Sequence, residues 1–205
     1  AWWHRCLFHL ERGESDEVFE LFSQEVRNPD SPRVIQAPEA YVDVQNTASL
    51  MMRMELAGFE VGERWSGLVP LAESRLEDHT SPFTSIHALI ILAKSGMLEK
   101  ARTMIGNMLA FTDLDQGPIG NTYRQVVVPA AEAVLAFVED QPKQVLERLM
   151  PIRFLLYRMG GSHAQRDLFW QMMTRTALQL EDRTLVGQLH SEIRDFGFSQ
   201  MFVYY

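Results

Sequence analysis

Apolar residues recur at steps of three and four almost from the first position. Trp2, Trp3, Cys6, Leu7 and Leu10 mark one helical face, and Gly13 closes that segment before Ser15 opens another carrying Val18, Leu21 and Phe22. The same period predicts helices over about 43–57, stopped by Gly58, and over about 62–76 around Trp65, Leu68 and Leu76. Ile86, Leu89, Ile90 and Ala93 then share a face, Ser95-Gly96 makes a turn, and Leu98, Ala101, Ile105 and Leu109 continue on a partner helix. Thr122 and Gln125 stand at capping-box spacing ahead of a helix that ends near 139, with Pro129 marking a kink or a later start. A helix over 142–159 is expected to bend at Pro151 and Gly160-Gly161 to force a turn. The last pair of helices runs over about 162–180 and 183–196. The stretches 28–38 and 111–121 are rich in helix-breaking residues and read as long connections.

Turns fall near Gly13, 59–61, Gly96, Asp140 and Asp182. The unit therefore recurs about every 35–50 residues, the range of helical-hairpin repeats. Alternation with a period of two is confined to 126–128 and the tail 198–205. The prediction is an all-α fold in a single domain over 1–205, an α-α superhelix of about five antiparallel helical hairpins. A lone hairpin cannot bury its apolar face, so stacking of neighbours supplies the core and leaves a concave and a convex side.

Composition narrows the partners. With 205 residues and 46% hydrophobic content, the chain can bury a continuous core. A formal charge of -8 with no Lys/Arg cluster repels a phosphate backbone, so nucleic acid is not expected as a partner. No apolar run reaches the roughly 18 residues of a spanning helix, and no membrane partner is expected. Cys6 is the single cysteine, which excludes an intrachain disulfide and makes a reducing, cytoplasmic location the expectation. The chain enters an amphipathic pattern at once, without an initiator Met or a capping residue. It reads as the C-terminal portion of something longer, in which exposed Trp2 and Trp3 would meet preceding helices. Those tryptophans and the tail 198–205 are alternatively a surface for a second copy.

The sequence contains no HExxH, paired CxxC, P-loop, GxGxxG or GxSxG, so no metal or cofactor is expected. Its most distinctive phrase is GGSHAQRD at 160–167. Gly160 or Gly161 suits a left-handed residue after one helix, Ser162 caps the next, and Gln165 returns the capping-box bond. That leaves His163, Arg166 and Asp167 to be explained. His163 and Asp167 are four apart on a helix, close enough for an ion pair or a polarised imidazole. On the third helix Asn46, Ser49 and Arg53 form a polar stripe, which reads as a wet face or, because mid-helix Asn and Ser are poor helix formers, as a functional one. His4 lies beside the apolar stripe of the first helix, and His87 precedes the apolar run 88–93.

Taken together, WWHRCLFHLERG at 2–13, TASLMMRMELAG at 47–58, GERW at 62–65, IHALIILAKSG at 86–96, MPIRFLLYRMGG at 150–161 and GGSHAQRD resemble the tetratricopeptide repeat protein 38 family. The resemblance spans nearly the whole chain. It implies a tetratricopeptide-like α-α superhelix without an established activity, in proteins whose helices continue ahead of a segment like 2–13.

Two functions compete. The first, favoured by hairpin periodicity and the lack of catalytic signatures, is a non-enzymatic helical-repeat scaffold whose concave surface binds a protein or peptide. The second is a small-molecule-binding or enzymatic domain whose site gathers His4, Asn46, Arg53, His87, His163, Arg166 and Asp167 from successive helices. There His163 would transfer a proton, Asp167 would orient it, and Arg53 or Arg166 would anchor a carboxylate or phosphate.

Overall fold

The computed structural model describes residues 2–195, and among them every regular element is a helix. The first hairpin pairs α1 (Trp2–Glu11) with α2 (Ser15–Leu21), which continues through a π-helical turn, Phe22–Val26. A short α3 (Pro32–Gln36) follows, started by Ser31, whose side chain accepts from the Val34 amide. It occupies part of the expected loop over 28–38, because Ser31-Pro32 forms a helix start as readily as a break. Next come α4 (Tyr41–Leu56), a 3₁₀ segment Gly62–Leu68, and α5 (Val69–Glu73). The single helix expected over 62–76 is thus two short pieces, split where Pro70 removes a backbone donor.

The central hairpin is α6 (Pro82–Lys94) and α7 (Leu98–Leu114), turning at Gly96 with φ of 76°. Ser81 caps α6 by accepting from the Thr84 amide, and Pro82 sits at its first position. Residues Ser85 through Ala93 are all buried, so α6 is covered on every side, by α4, α5, α7 and α9. After α8 (Pro118–Thr122) the chain passes through a π-helical turn, Tyr123–Val127, into α9 (Val128–Val138). The expected Thr122–Gln125 capping box does not form. Helix runs straight across those residues, and the Thr122 hydroxyl instead donates to the Pro118 carbonyl at 2.9 Å.

A turn at Asp140, with φ of 54°, leads to α10 (Pro142–Leu149). Pro151 does more than bend this helix: from Met150 to Met159 the chain tightens into a 3₁₀ segment. Finally α11 (His163–Gln179) and α12 (Arg183–Asp195) pair across a turn at Glu181. The apolar tail at 198–205 lies outside the described residues.

Turns fall at or next to the expected positions, and α1–α2, α6–α7, α9–α10 and α11–α12 pair across theirs, whereas α4 packs on α6, α11 and α1 rather than on the short pieces that follow 59–61. The assembly adds a contact that a neighbour-to-neighbour array lacks, because α11 packs on α4, with the α6–α7 and α9–α10 hairpins lying between them in the chain. Side-chain bonds seal the contact: the Gln165 amide donates to Asn46 Oδ1 at 3.0 Å, and Arg53 donates to the Ala164 and Gln165 carbonyls at 2.5 and 3.3 Å. The stripe 46–49–53, one reading of which was a wet face, is consequently interior at Ser49 and Arg53. Trp3, expected to be exposed, is buried within the chain, whereas Trp2 keeps 40% of its surface in solvent.

Candidate functional site

Two features bring chemistry together, and both depend on how α11 begins. Gly160 and Gly161 have φ of 97° and 74°, conformations that L side chains rarely adopt. Ser162 then accepts from the Gln165 amide at 3.3 Å while Gln165 Oε1 accepts from the Ser162 amide at 2.8 Å, the reciprocal capping box the sequence implied. Ser162→Ala is expected to cost about 1 kcal/mol in urea unfolding. A loss below about 0.2 kcal/mol would show that the box contributes little.

The first feature is a buried polar seam where α1, α4, α6 and α11 meet. Arg53 is fully buried. Its guanidinium donates to the Ser49 hydroxyl and to the Ala164 and Gln165 carbonyls, and stands 5.7 Å from the centre of the Trp3 ring. Burial presses its pKa down to about 10, against the pull of the Asp167 carboxylate. Asp167, on α11, accepts from the Gln171 amide at 2.6 Å. Burial raises its carboxyl to about 6, with Arg53 and Gln171 opposing the rise. His87, on α6, is also buried, with Nδ1–H donating to the Phe83 carbonyl at 2.7 Å. Burial is again the main cause that lowers its pKa, to about 4, and Arg53 adds to it. Arg53 Nε, His87 Nε2, Asp167 Oδ1, Gln171 Oε1 and Thr174 Oγ have no hydrogen-bond partner among the described residues.

These two shifts have opposite signs as pH changes. His87 is depressed from 6.5, so its contribution to stability is present above that value and is lost as pH falls toward 4. Asp167 is raised from 3.8, so its contribution is present below that value and is lost as pH rises through about 6. Between pH 4 and 6 the two oppose one another. Asp167→Asn removes one side of the balance, and stability is expected to fall more steeply from pH 6.5 to 4 in this variant than in the wild type, by up to about 1.4 kcal/mol per pH unit. Parallel profiles of urea midpoint against pH would exclude the opposition.

The second feature is a surface groove of about 220 Å³ between the 3₁₀ segment and α11, lined by Arg153, Phe154, Leu156, Tyr157, His163, Arg166 and Trp170. Three residues per turn place positions 151, 154 and 157 in one column. That column faces outward, and Phe154 and Tyr157 are 44% and 62% exposed. Trp170, itself buried, forms the floor, its ring centre 5.8 Å from that of Phe154. Arg153 stacks over Phe154 at 4.1 Å and is held there by Glu192, which accepts two bonds from it at 2.8 and 3.1 Å. Arg166 donates to the carbonyls of Gly160 and Gly161, tying the glycine turn to the groove.

The seven residues chosen from sequence are divided between these features and other places. Arg53, His87 and Asp167 meet in the seam, and His87 also borders a small cavity with Gln45, Thr84 and Arg75. Asn46 joins the seam's edge through Gln165 and lines a different cavity with Trp2, Trp3, Arg33 and Asp43. His163 and Arg166 line the groove, and His4 is exposed on α1, edge-on to the Trp3 ring. His163 is exposed while Asp167 faces the interior, although the two are four apart on α11. Phe154, Tyr157 and Trp170 were missed. The available signal was aromatic spacing of three after Pro151, hidden by reading 142–159 as one α-helix.

No protein-family model matches the chain, and no solved structure matches it with significance. No helix among the described residues is long and apolar enough to cross a membrane.

Proposed function

We propose that this chain is a non-enzymatic interaction scaffold of the tetratricopeptide-like, α-α superhelical kind, working in the cytoplasm and binding a peptide segment of a partner protein. The observation that supports this best is the groove beside α11, where exposed Phe154 and Tyr157 flank a buried Trp170. Aromatic side chains around a concavity are what peptide recognition uses, because they offer a large apolar contact at small entropic cost. This moves the binding surface from a general concave face to one edge of the last two hairpins. Resemblance to the tetratricopeptide repeat protein 38 family agrees with such a scaffold.

The test is capture of partner proteins by the wild type and by Tyr157→Ser. Tyr157 is mostly exposed, so the variant is expected to melt within a degree or two of the wild type. Specific capture that disappears in Tyr157→Ser supports the proposal, and capture indifferent to the substitution counts against it.

A small-molecule or catalytic domain is the second reading. Its support is the group of unpartnered polar atoms on Arg53, His87, Asp167, Gln171 and Thr174. Native mass spectrometry of protein purified without additives separates the two readings, since this one requires a retained small molecule and the scaffold does not.

A further inference from the structure

We infer that the groove takes an acidic segment carrying one large apolar or aromatic anchor residue. The inference rests on the peptide-binding reading above and adds the chemistry of the peptide.

Charge complementarity carries the argument. Arg153 and Arg166 line the groove and, among the described residues, no carboxylate does, on a chain whose overall charge is -8. The Arg153 charge is offset by Glu192, which leaves this arginine to act as a rigid plate over Phe154. Arg166 differs. It donates to the carbonyl oxygens of Gly160 and Gly161, and no ion pair to a carboxylate is formed among the described residues. Carbonyl dipoles orient a guanidinium without cancelling its charge, so the inner end of the groove keeps a positive potential in a partly desolvated setting. A carboxylate arriving there gains a charge-assisted contact that an amide or hydroxyl cannot match, and a Lys or Arg is repelled.

The apolar part of the occupant follows from the walls. Phe154, Leu156, Tyr157 and Trp170 surround a cavity with room for a single bulky side chain. A residue such as Phe, Trp or Leu seated there buries apolar surface on both partners. Its acidic neighbours in sequence then fall beside Arg166. Because the rest of this chain is acidic, long-range attraction does not assist, and recognition is confined to contact distance.

A random 12-residue peptide display selection on the full chain tests this, followed by fluorescence anisotropy of the enriched sequences against wild type and Tyr157→Ser. The expected outcome is enrichment of Asp and Glu around an aromatic or Leu, with affinity reduced about tenfold by Tyr157→Ser. Enriched peptides that depend on Tyr157 but are basic or uncharged would overturn the inference and leave the peptide-binding reading standing. Enrichment of nothing, or of peptides unaffected by Tyr157→Ser, would overturn both.

Discussion

Replacing Arg53 with alanine is expected to lower the unfolding free energy by about 3–5 kcal/mol at pH 7. The side chain is fully buried, and its loss has three consequences at once. The Asp167 carboxylate keeps its burial but loses the opposite charge that favours its ionised form. The bonds to the Ala164 and Gln165 carbonyls, which join α4 to α11, disappear. A cavity opens against Trp3, which sits over the guanidinium. If electrostatics dominates, pairing Arg53→Met with Asp167→Leu restores part of the loss, since two opposite buried charges are often replaceable together by apolar groups whereas a lone buried charge is not. Urea denaturation of the single and double variants decides the matter. A cost for Arg53→Ala below about 1 kcal/mol would mean that the seam is solvated well enough to relax around the missing charge.

Gly161→Val is the second large effect, about 3 kcal/mol or more, and it combines two independent penalties. At φ of 74° a β-branched residue is strained, which costs about 1–3 kcal/mol. A Cβ at this position would also lie 2.6 Å from Cε2 and Cζ of Phe83, so the ring at the start of α6 must move, at a further cost of about 1–3 kcal/mol. Space and conformation separate in a double-mutant cycle. In a Phe83→Ala background Gly161→Val is expected to cost less, with only the strain remaining. His163→Ala, at an exposed position two residues further on, is expected to change stability far less. Equal melting temperatures for wild type and Gly161→Val would contradict the left-handed turn. An unchanged cost in the Phe83→Ala background would contradict the close approach.

The capping box at Ser162 and the glycine turn ahead of it were legible because both are local. They use backbone groups within four residues and side chains of the types such positions require. The seam was only half legible. Polar residues 46, 49 and 53 on α4 and 166–167 on α11 stood out as poor fits to an apolar pattern, yet the pattern alone could not say whether they faced water. Burial of Arg53 depends on α11 arriving from 111 residues away, and nothing in the α4 sequence announces it. The groove was not legible at all. Its exposed column exists because 150–159 winds with three residues per turn, and Pro151 read equally well as a kink in an ordinary α-helix.

From its sequence alone this protein is all-helical, with turns at or near Gly13, 59–61, Gly96, Asp140 and Asp182, because helix periodicity and turn chemistry are short-range properties written residue by residue. The assembly of those hairpins was decided in three dimensions. Contact between α4 and α11 takes the Arg53 face out of solvent and brings its charge within electrostatic reach of Asp167, so part of a polar stripe becomes interior. Packing of α11 against the 3₁₀ segment leaves Phe154 and Tyr157 as groove walls rather than core. The physical reason is that an amphipathic helix specifies which of its faces needs covering, while the identity of the covering element follows from the competition of all faces for one core.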